Sequence, residues 1–182
     1  GIKAINYQVH GGSTTVDFVG TDLMPKAQGE AKVESKKGYI EIEVEFKHLG
    51  SPTQFGTEYL TYVLWAVSPE GRTTNLGELV VKDGGAKLNV TSDLQVFAMG
   101  VTAEPYFAVR SPSSMVVLKN EPRKSTQGKV FVIDAKVDLL ERGHYQKLGN
   151  PLGMQPDKKT PSDIYQARNA ILVAEMGGAS QY

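Results

Sequence analysis

The chain has 182 residues, and its twenty lysines and arginines balance twenty acidic residues, so the formal net charge is zero. This length favours one domain with or without an appendage, and the balanced charge argues against a nucleic-acid or acidic-membrane partner. Cysteine is absent, which excludes disulfides, thiolate nucleophiles and cysteine-bound metals and is compatible with export. No stretch approaches the roughly 18 apolar residues of a transmembrane segment. Because the first residue is Gly1 rather than methionine, we expect processing such as removal of a signal peptide.

The N-terminal third predicts short strands separated by turns. Residues 4–9 alternate weakly, and a turn over residues 10–13 leads into a second strand over residues 14–19. Residues 39–46 read YIEIEVEF and alternate strictly between apolar and acidic side chains. This pattern predicts a half-buried strand whose apolar face is Ile40, Ile42, Val44 and Phe46 and whose wet outer face is Glu41, Glu43 and Glu45.

The segment that follows is apolar on both faces. Residues 56–67 read GTEYLTYVLWAV and contain the only tryptophan of the chain. Such a sequence is typical of a central strand that is covered on both sides. Asp83-Gly84-Gly85 predicts a tight turn. Further strands are predicted over residues 72–82, 86–90, 95–104 and 115–119.

The regular recurrence of strands, with Gly and Pro between them, predicts a mainly β fold. We expect an antiparallel, Ig-like Greek-key sandwich over residues 1–122. Residues 123–182 are expected to form a C-terminal extension with one or two short helices. In this extension, residues 129–142 fit helical spacing and strand alternation equally well, and we prefer the helix.

The rest of the extension predicts a linker and then a helix. Residues 149–159 contain two prolines and are expected to be extended. Thr160 as an N-cap followed by Pro161 predicts that a helix begins there and runs over residues 161–176. Its expected apolar face consists of Ile164, Ala167, Ile171 and Ala174.

No residue pattern predicts a catalytic, metal or cofactor site. His10, His48 and His144 stand far apart and follow no metal-binding spacing. The three glutamates of residues 41–45 resemble the carboxylates of a glycosidase or a calcium site, but a solvated strand face explains them without a partner. Tyr106 and Phe107 are adjacent aromatic residues, and they are candidates for a glycan-binding platform or for packing at the rim of the core.

The N-terminal strand is the candidate assembly element. It precedes a Gly-Gly turn, so it can pair within its own domain or with the exposed edge of a neighbouring copy. Pairing within the domain is the simpler expectation, and donation to a neighbour would build a filament. The side chains concerned are Ile2, Ala4, Ile5, Tyr7 and Val9.

Four stretches together resemble a region of known proteins: GYIEIEVEF, GTEYLTYVLWAVSPEGRTTNLGEL, LQVFAMGVTAEPYFAVRSPS and TPSDIYQARNA. They are similar to the N-terminal region of acidobacterial envelope proteins, in which it precedes a helical segment and often a peptidoglycan-associating domain like that of outer membrane protein A. The resemblance covers most of residues 2–174 and is most specific over residues 58–79. It implies export to the cell envelope or surface and a β-sandwich without enzymatic activity, and it supplies no catalytic residue. Because the sequence stops at Tyr182, we expect that the cell-wall domain is absent and that the chain is either a fragment or a short member that uses the sandwich alone.

These observations favour a non-enzymatic structural or assembly module of the bacterial envelope, with self-association or another envelope protein as partner. The most specific form of this hypothesis is a self-assembling extracellular filament whose subunits are joined by strand exchange. A module that binds cell-wall glycan or a partner protein is the alternative, and a glycoside hydrolase is the weaker one. No cofactor, nucleic acid or transmembrane segment is expected.

Overall fold

Antiparallel strands make up most of the structure, a computed structural model that describes residues 2–7, 12–133, 139–140, 144–145 and 162–178. Within these residues there are ten strands, a short 3₁₀ helix at Pro52–Phe55 and one α-helix, α1, at Ser162–Gly178. The strands are β1 Lys3–Asn6, β2 Gly12–Gly20, β3 Gln28–Lys36, β4 Tyr39–Lys47, β5 Thr61–Val67, β6 Thr73–Leu79, β7 Ala86–Ser92, β8 Val96–Glu104, β9 Val116–Pro122 and β10 Lys129–Val132. A mainly β chain with a C-terminal helix is therefore confirmed.

The strands form a near-closed barrel rather than the two separate layers of a sandwich. The hydrogen-bonded order runs β6-β5-β8-β9-β2-β3-β4-β7, and β6 lies beside β7 at the ends of this path. Strand β8 is the reason that the layers stay joined. One of its edges pairs with β5, and its other edge pairs with β9 and, at its start, with β1.

Strand β4 confirms the predicted alternation. Its four apolar side chains lie in the main core inside the barrel, and its three glutamates point outward. Phe46 contacts Phe18 of β2, with ring centroids 4.8 Å apart. The two phenylalanines flank Gly29 of β3 in register, so their rings meet over a position that has no side chain.

Strand β5 is buried along its whole length, as both of its apolar faces predict. It lies between β6 and β8. Tyr62 and Leu64 point into the main core, whereas Val63 and Trp65 point outward and pack against Val109. The loop after β8 therefore covers the outer face of this strand. The strand begins at residue 61 rather than at the start of the apolar segment over residues 56–67, because residues 57 and 58 form a turn before the chain enters the sheet.

Strand β1 fills the place where β8 and β9 diverge. It pairs with β8 at Ile5 and Asn6 and with β10 along its whole length. The buried Asn120 of β9 connects the two sides of this junction: its Nδ2 donates to the Lys3 carbonyl at 3.0 Å, and its Oδ1 accepts from the Met99 amide at 3.1 Å. One side chain thus replaces the ladder hydrogen bonds that the divergence removes.

Replacing Asn120 by alanine is expected to lower the free energy of unfolding by about 2 kcal/mol, because the buried Met99 N–H and the half-buried Lys3 C=O each lose their partner. Urea unfolding followed by circular dichroism measures this difference. The exposed Asn89, replaced by alanine, is the matched control, and its effect should be within about 0.5 kcal/mol of zero. Equal stability of Asn120→Ala and the wild type would contradict the bridging role.

The C-terminal extension departs from expectation in two ways. The preference for a helix is wrong over residues 129–132, which form β10, because the ladder with β1 overrides helical spacing. The sheet therefore continues beyond the expected boundary after residue 122. Residues 134–138 and 141–142 of the ambiguous segment and the linker over residues 149–159 lie outside the described residues.

Helix α1 coincides with the expected helix to within two residues, but it presents a different face to the barrel. Ile164 and Ile171 of the expected apolar face are 57% and 61% exposed. Tyr165, Gln166 and Asn169 are buried instead. The Asn169 amide explains this orientation, because its Nδ2 donates to the carbonyls of Glu58 and Pro105. Polar contacts to loop carbonyls thus orient the helix. Among the described residues, no helix has the length and hydrophobicity of a membrane span.

Candidate functional site

The candidate assembly residues of the N-terminal strand pack inside their own chain. Ala4, Ile5 and Tyr7 are buried, and Ile2 is half-buried. The ring of Tyr7 lies 5.0 Å from that of Phe97, and burial raises the pKa of its hydroxyl. Val9 lies outside the described residues. The strand is therefore paired on both edges within the chain rather than free.

The exposed edge next to it belongs to β10, which pairs only with β1 among the described residues. The Ile133 amide donates to the Ile2 carbonyl, so odd-numbered residues of β10 direct their backbone groups toward β1. The even-numbered residues Val130 and Val132 consequently direct their N–H and C=O groups away from the sheet. No other described strand pairs with these outward backbone groups.

The side chains of β10 divide in the same way. Phe131 packs on the small outer cluster that contains Ala4, and the Lys129 ammonium lies 5.3 Å from its ring centroid. Val130 and Val132 are 43% and 60% exposed. Within the described part of the chain, the edge is therefore unpaired, and the side chains of these two residues are apolar and exposed. Sequence reasoning missed it because alternation over residues 129–133 competed with an equally good helical stripe.

The two candidate platform residues do not have the same environment. Tyr106 packs against Val63, Trp65 and Val109, and desolvation raises the pKa of its hydroxyl. Phe107 is 56% exposed. The backbone of this loop is fixed by Asn75, whose Nδ2 donates to the carbonyls of Phe107 and Val109. Of the two candidate platform residues, only Phe107 presents an exposed ring, and it lies on a loop whose backbone is anchored.

A buried carboxyl group lies under this loop. Glu104 has no solvent exposure, and its Oε2 accepts from the Thr102 hydroxyl and, at 2.8 Å, from the Ser113 amide. Trp65 Nε1 donates in turn to the Thr102 hydroxyl at 2.8 Å. Oε1 has no hydrogen-bond partner among the described residues. Burial raises the pKa of Glu104 to about 8. The group is inaccessible to a substrate, and its contacts hold the loop.

The acidic strand face and the histidines do not come together into a site. The glutamates of β4 point to solvent, and lysine ammonium groups lie 4.0 Å from Glu41 and from Glu45. His48 lies in a turn with positive φ, His144 contacts the ring of Tyr145, and His10 is outside the described residues. In the described part of the chain, no three His, Asp or Glu side chains are placed to hold a metal ion.

Comparison with known proteins gives no further assignment: no family model matches the chain, and neither a curated protein nor a solved structure matches it.

Proposed function

We propose that this chain is a non-enzymatic structural module of the bacterial cell envelope or surface that self-associates along the edge of β10. The observation that carries the proposal is that Val130 and Val132 have no strand partner on their outward side among the described residues, combined with their exposed side chains. Exposed apolar edges of this kind add a further strand readily, and soluble proteins usually protect them with charge, proline or a covering element.

A second copy of β10 fits this edge because the edge is self-complementary. Antiparallel pairing centred on Phe131 places Val130 of one copy opposite Val132 of the other, so the outward backbone groups match. The same register places Lys129 opposite Ile133, and no two lysines face each other. Cross-strand pairs of β-branched residues stabilise such a ladder. The proposed contact is therefore a two-fold dimer.

Filament growth requires a second contact, because a two-fold contact closes on itself. Exchange of β1 between copies would supply one, which is the strand-donation alternative considered for the N-terminal strand. Such exchange must first break the pairing of β1 with β8 and with β10 inside the chain. For this reason we propose pairing of β10 edges as the main contact between copies and exchange of β1 as the secondary one.

Replacing Val130 and Val132 together by lysine is expected to convert a dimer into a monomer, since the charges oppose each other across the shared edge. Sedimentation velocity over a concentration series measures the oligomeric state. The melting temperature should change little, because both side chains are largely outside the core. Val80→Lys is the matched control, since Val80 is 68% exposed and outside the strands.

A wild-type protein that stays monomeric at concentrations on the order of millimolar would contradict the proposal. So would a double variant that dimerises as strongly as the wild type. Species larger than a dimer that persist in the double variant would instead support exchange of β1.

The location at the cell envelope rests on the resemblance over residues 58–79 and on the absence of cysteine. Binding of cell-wall glycan is the second candidate function, and the exposed ring of Phe107 favours it. A single exposed ring offers less stacking surface than the expected pair, because Tyr106 packs inward. We therefore rank glycan binding below self-association. The hydrolase hypothesis has the least support, because the strand-face glutamates lie beside lysines on a solvated surface.

A further inference from the structure

A small apolar groove lies on the outer face of the sheet, beside the junction of β5, β8 and β9. Its volume is about 240 Å³. The floor consists of Trp65, Gly100 and Thr102. Ile133 and Leu139 are among the apolar side chains of the walls, and Lys119 also lines it. The groove borders the end of β10 at Ile133, whereas Val130 and Val132 of the β10 edge do not line it.

Gly100 leaves the floor of this groove open. It lies in register between Trp65 of β5 and Lys119 of β9. A Cβ atom at this position would meet nothing nearer than the Leu118 carbonyl oxygen, at 3.5 Å, which is an ordinary contact. The backbone of Gly100 is also outside the positive-φ region. Neither packing nor conformation therefore requires glycine here.

A glycine in the interior of a strand destabilises the strand relative to alanine, and it often marks the close approach of a ligand. At Gly100 neither a positive φ nor a steric clash of a Cβ atom explains the glycine. The effect of the missing side chain is to leave space above the floor of the groove. The Thr102 hydroxyl on the same floor already accepts from Trp65 and donates to Glu104. The floor thus offers shape and apolar surface rather than hydrogen-bonding groups.

Lys119 provides the charge at this groove. It is half-buried, and it has no ion pair or side-chain hydrogen bond among the described residues. The nearby ion pairs of the sheet involve other cations, such as Arg123 with Asp17 and Glu30. A half-buried ammonium beside an apolar surface favours a ligand with an anionic end and an apolar body.

We propose that the groove binds a short aliphatic carboxylate. The chain lies over Gly100 between the apolar walls, and the carboxylate pairs with the Lys119 ammonium. A volume of 240 Å³ is smaller than that of most drug-sized sites, which favours a short chain over a long lipid. Octanoate is a suitable probe because it combines both features.

Titration with octanoate is expected to change the fluorescence of Trp65, the only tryptophan, in a saturable way. Gly100→Val should abolish this change because the side chain fills the floor. Lys119→Gln should weaken octanoate binding roughly tenfold, the effect of losing one charge-assisted contact, while binding of uncharged 1-octanol stays the same. Lys32→Gln is the matched control, because Lys32 is an exposed lysine of β3 away from the groove.

Two further measurements keep the test decisive. Gly100→Ala should fold with a melting temperature at or above that of the wild type and should weaken octanoate binding, so a loss of binding is separable from a loss of structure. Octylammonium should bind more weakly than octanoate. The proposal is overturned if octanoate gives no saturable change at concentrations on the order of millimolar, or if Gly100→Val binds octanoate as the wild type does.

Discussion

Replacing Gly29 by alanine is expected to lower the free energy of unfolding by about 3 kcal/mol, at the upper end of the cost of overpacking a core. A Cβ atom there would lie 2.5 Å from Cδ1 of Phe46 and 2.8 Å from the Glu45 carbonyl oxygen. The ring of Phe46 is held against Phe18, and the carbonyl belongs to the neighbouring strand β4. Neither atom can move away without disturbing the core or the sheet.

Gly100→Ala is the matched control, because it is also a glycine in a strand interior without positive φ. Its Cβ atom meets only an ordinary contact, so stability should stay the same or increase by about 0.5 kcal/mol. Urea unfolding of both variants beside the wild type gives the two differences. If Gly29→Ala costs less than about 1 kcal/mol, the ring pair is not held as tightly over this position as its contacts indicate.

The alternation of residues 39–46 and the double apolar face of residues 61–67 predict β4 and β5 well, because each pattern reports burial directly. The position of helix α1 is equally predictable, because Thr160 and Pro161 form a helix-start signal in the sequence. The barrel is harder to predict. Whether two layers separate or join depends on which strands β8 pairs with, and Asn120 and the two edges of β8 decide this through contacts between residues far apart in sequence.

Two errors share a physical cause. The β10 strand and the face of α1 each depend on a partner that is distant in the chain. The periodicity of residues 129–133 fits both a helix and a strand, and pairing with β1 stabilises the strand. An apolar stripe on α1 predicted a buried face, but the Asn169 amide binds loop carbonyls and turns that stripe outward. The spacing of apolar residues within one segment cannot decide between two such structures when the deciding contact is distant in the sequence.

The candidate sites were hidden from the sequence for a related reason. The edge of β10 becomes visible only when its register is known, since the register decides which residues direct their backbone outward. The groove at Gly100 is lined by residues of four strands, β5, β6, β8 and β9, and its lysine is 54 residues away from Trp65 in the sequence. Glu104 ends a predicted strand and has no sequence feature that marks it as buried. These features follow from the tertiary arrangement.

The free energy of unfolding of the wild-type protein is expected to fall as the pH rises from about 4.5 to about 8. In the unfolded chain the Glu104 carboxyl loses its proton near its ordinary pKa of 4.5, whereas burial raises the pKa to about 8 in the folded protein. Between these values the folded state holds more protons than the unfolded state, so stability decreases with pH. A slope of about 1.4 kcal/mol per pH unit gives a total loss on the order of 4 kcal/mol.

Glu104→Gln is the variant that tests this dependence, because its side chain keeps the shape and does not titrate. Its amide oxygen can accept from Thr102 and Ser113, whereas its NH₂ group would occupy the position of Oε1, which has no partner among the described residues. The variant should therefore be less stable than the wild type near pH 4.5 and should lose less stability as the pH rises. Urea unfolding at a series of pH values from about 4 to 8.5 gives both curves.

Glu58 requires a second control, because desolvation raises its pKa as well and it contributes a slope of the same sign. In Glu58→Gln the free energy of unfolding should still fall steeply as the pH rises, since Glu104 is still present. Parallel curves for the wild type and Glu104→Gln would show that Glu104 does not keep its proton in the folded state. The Ser113 amide and the Thr102 hydroxyl would then be stabilising a carboxylate at neutral pH. In that case the contacts that hold the loop would be stronger above pH 5 than below it, the reverse of the behaviour expected here.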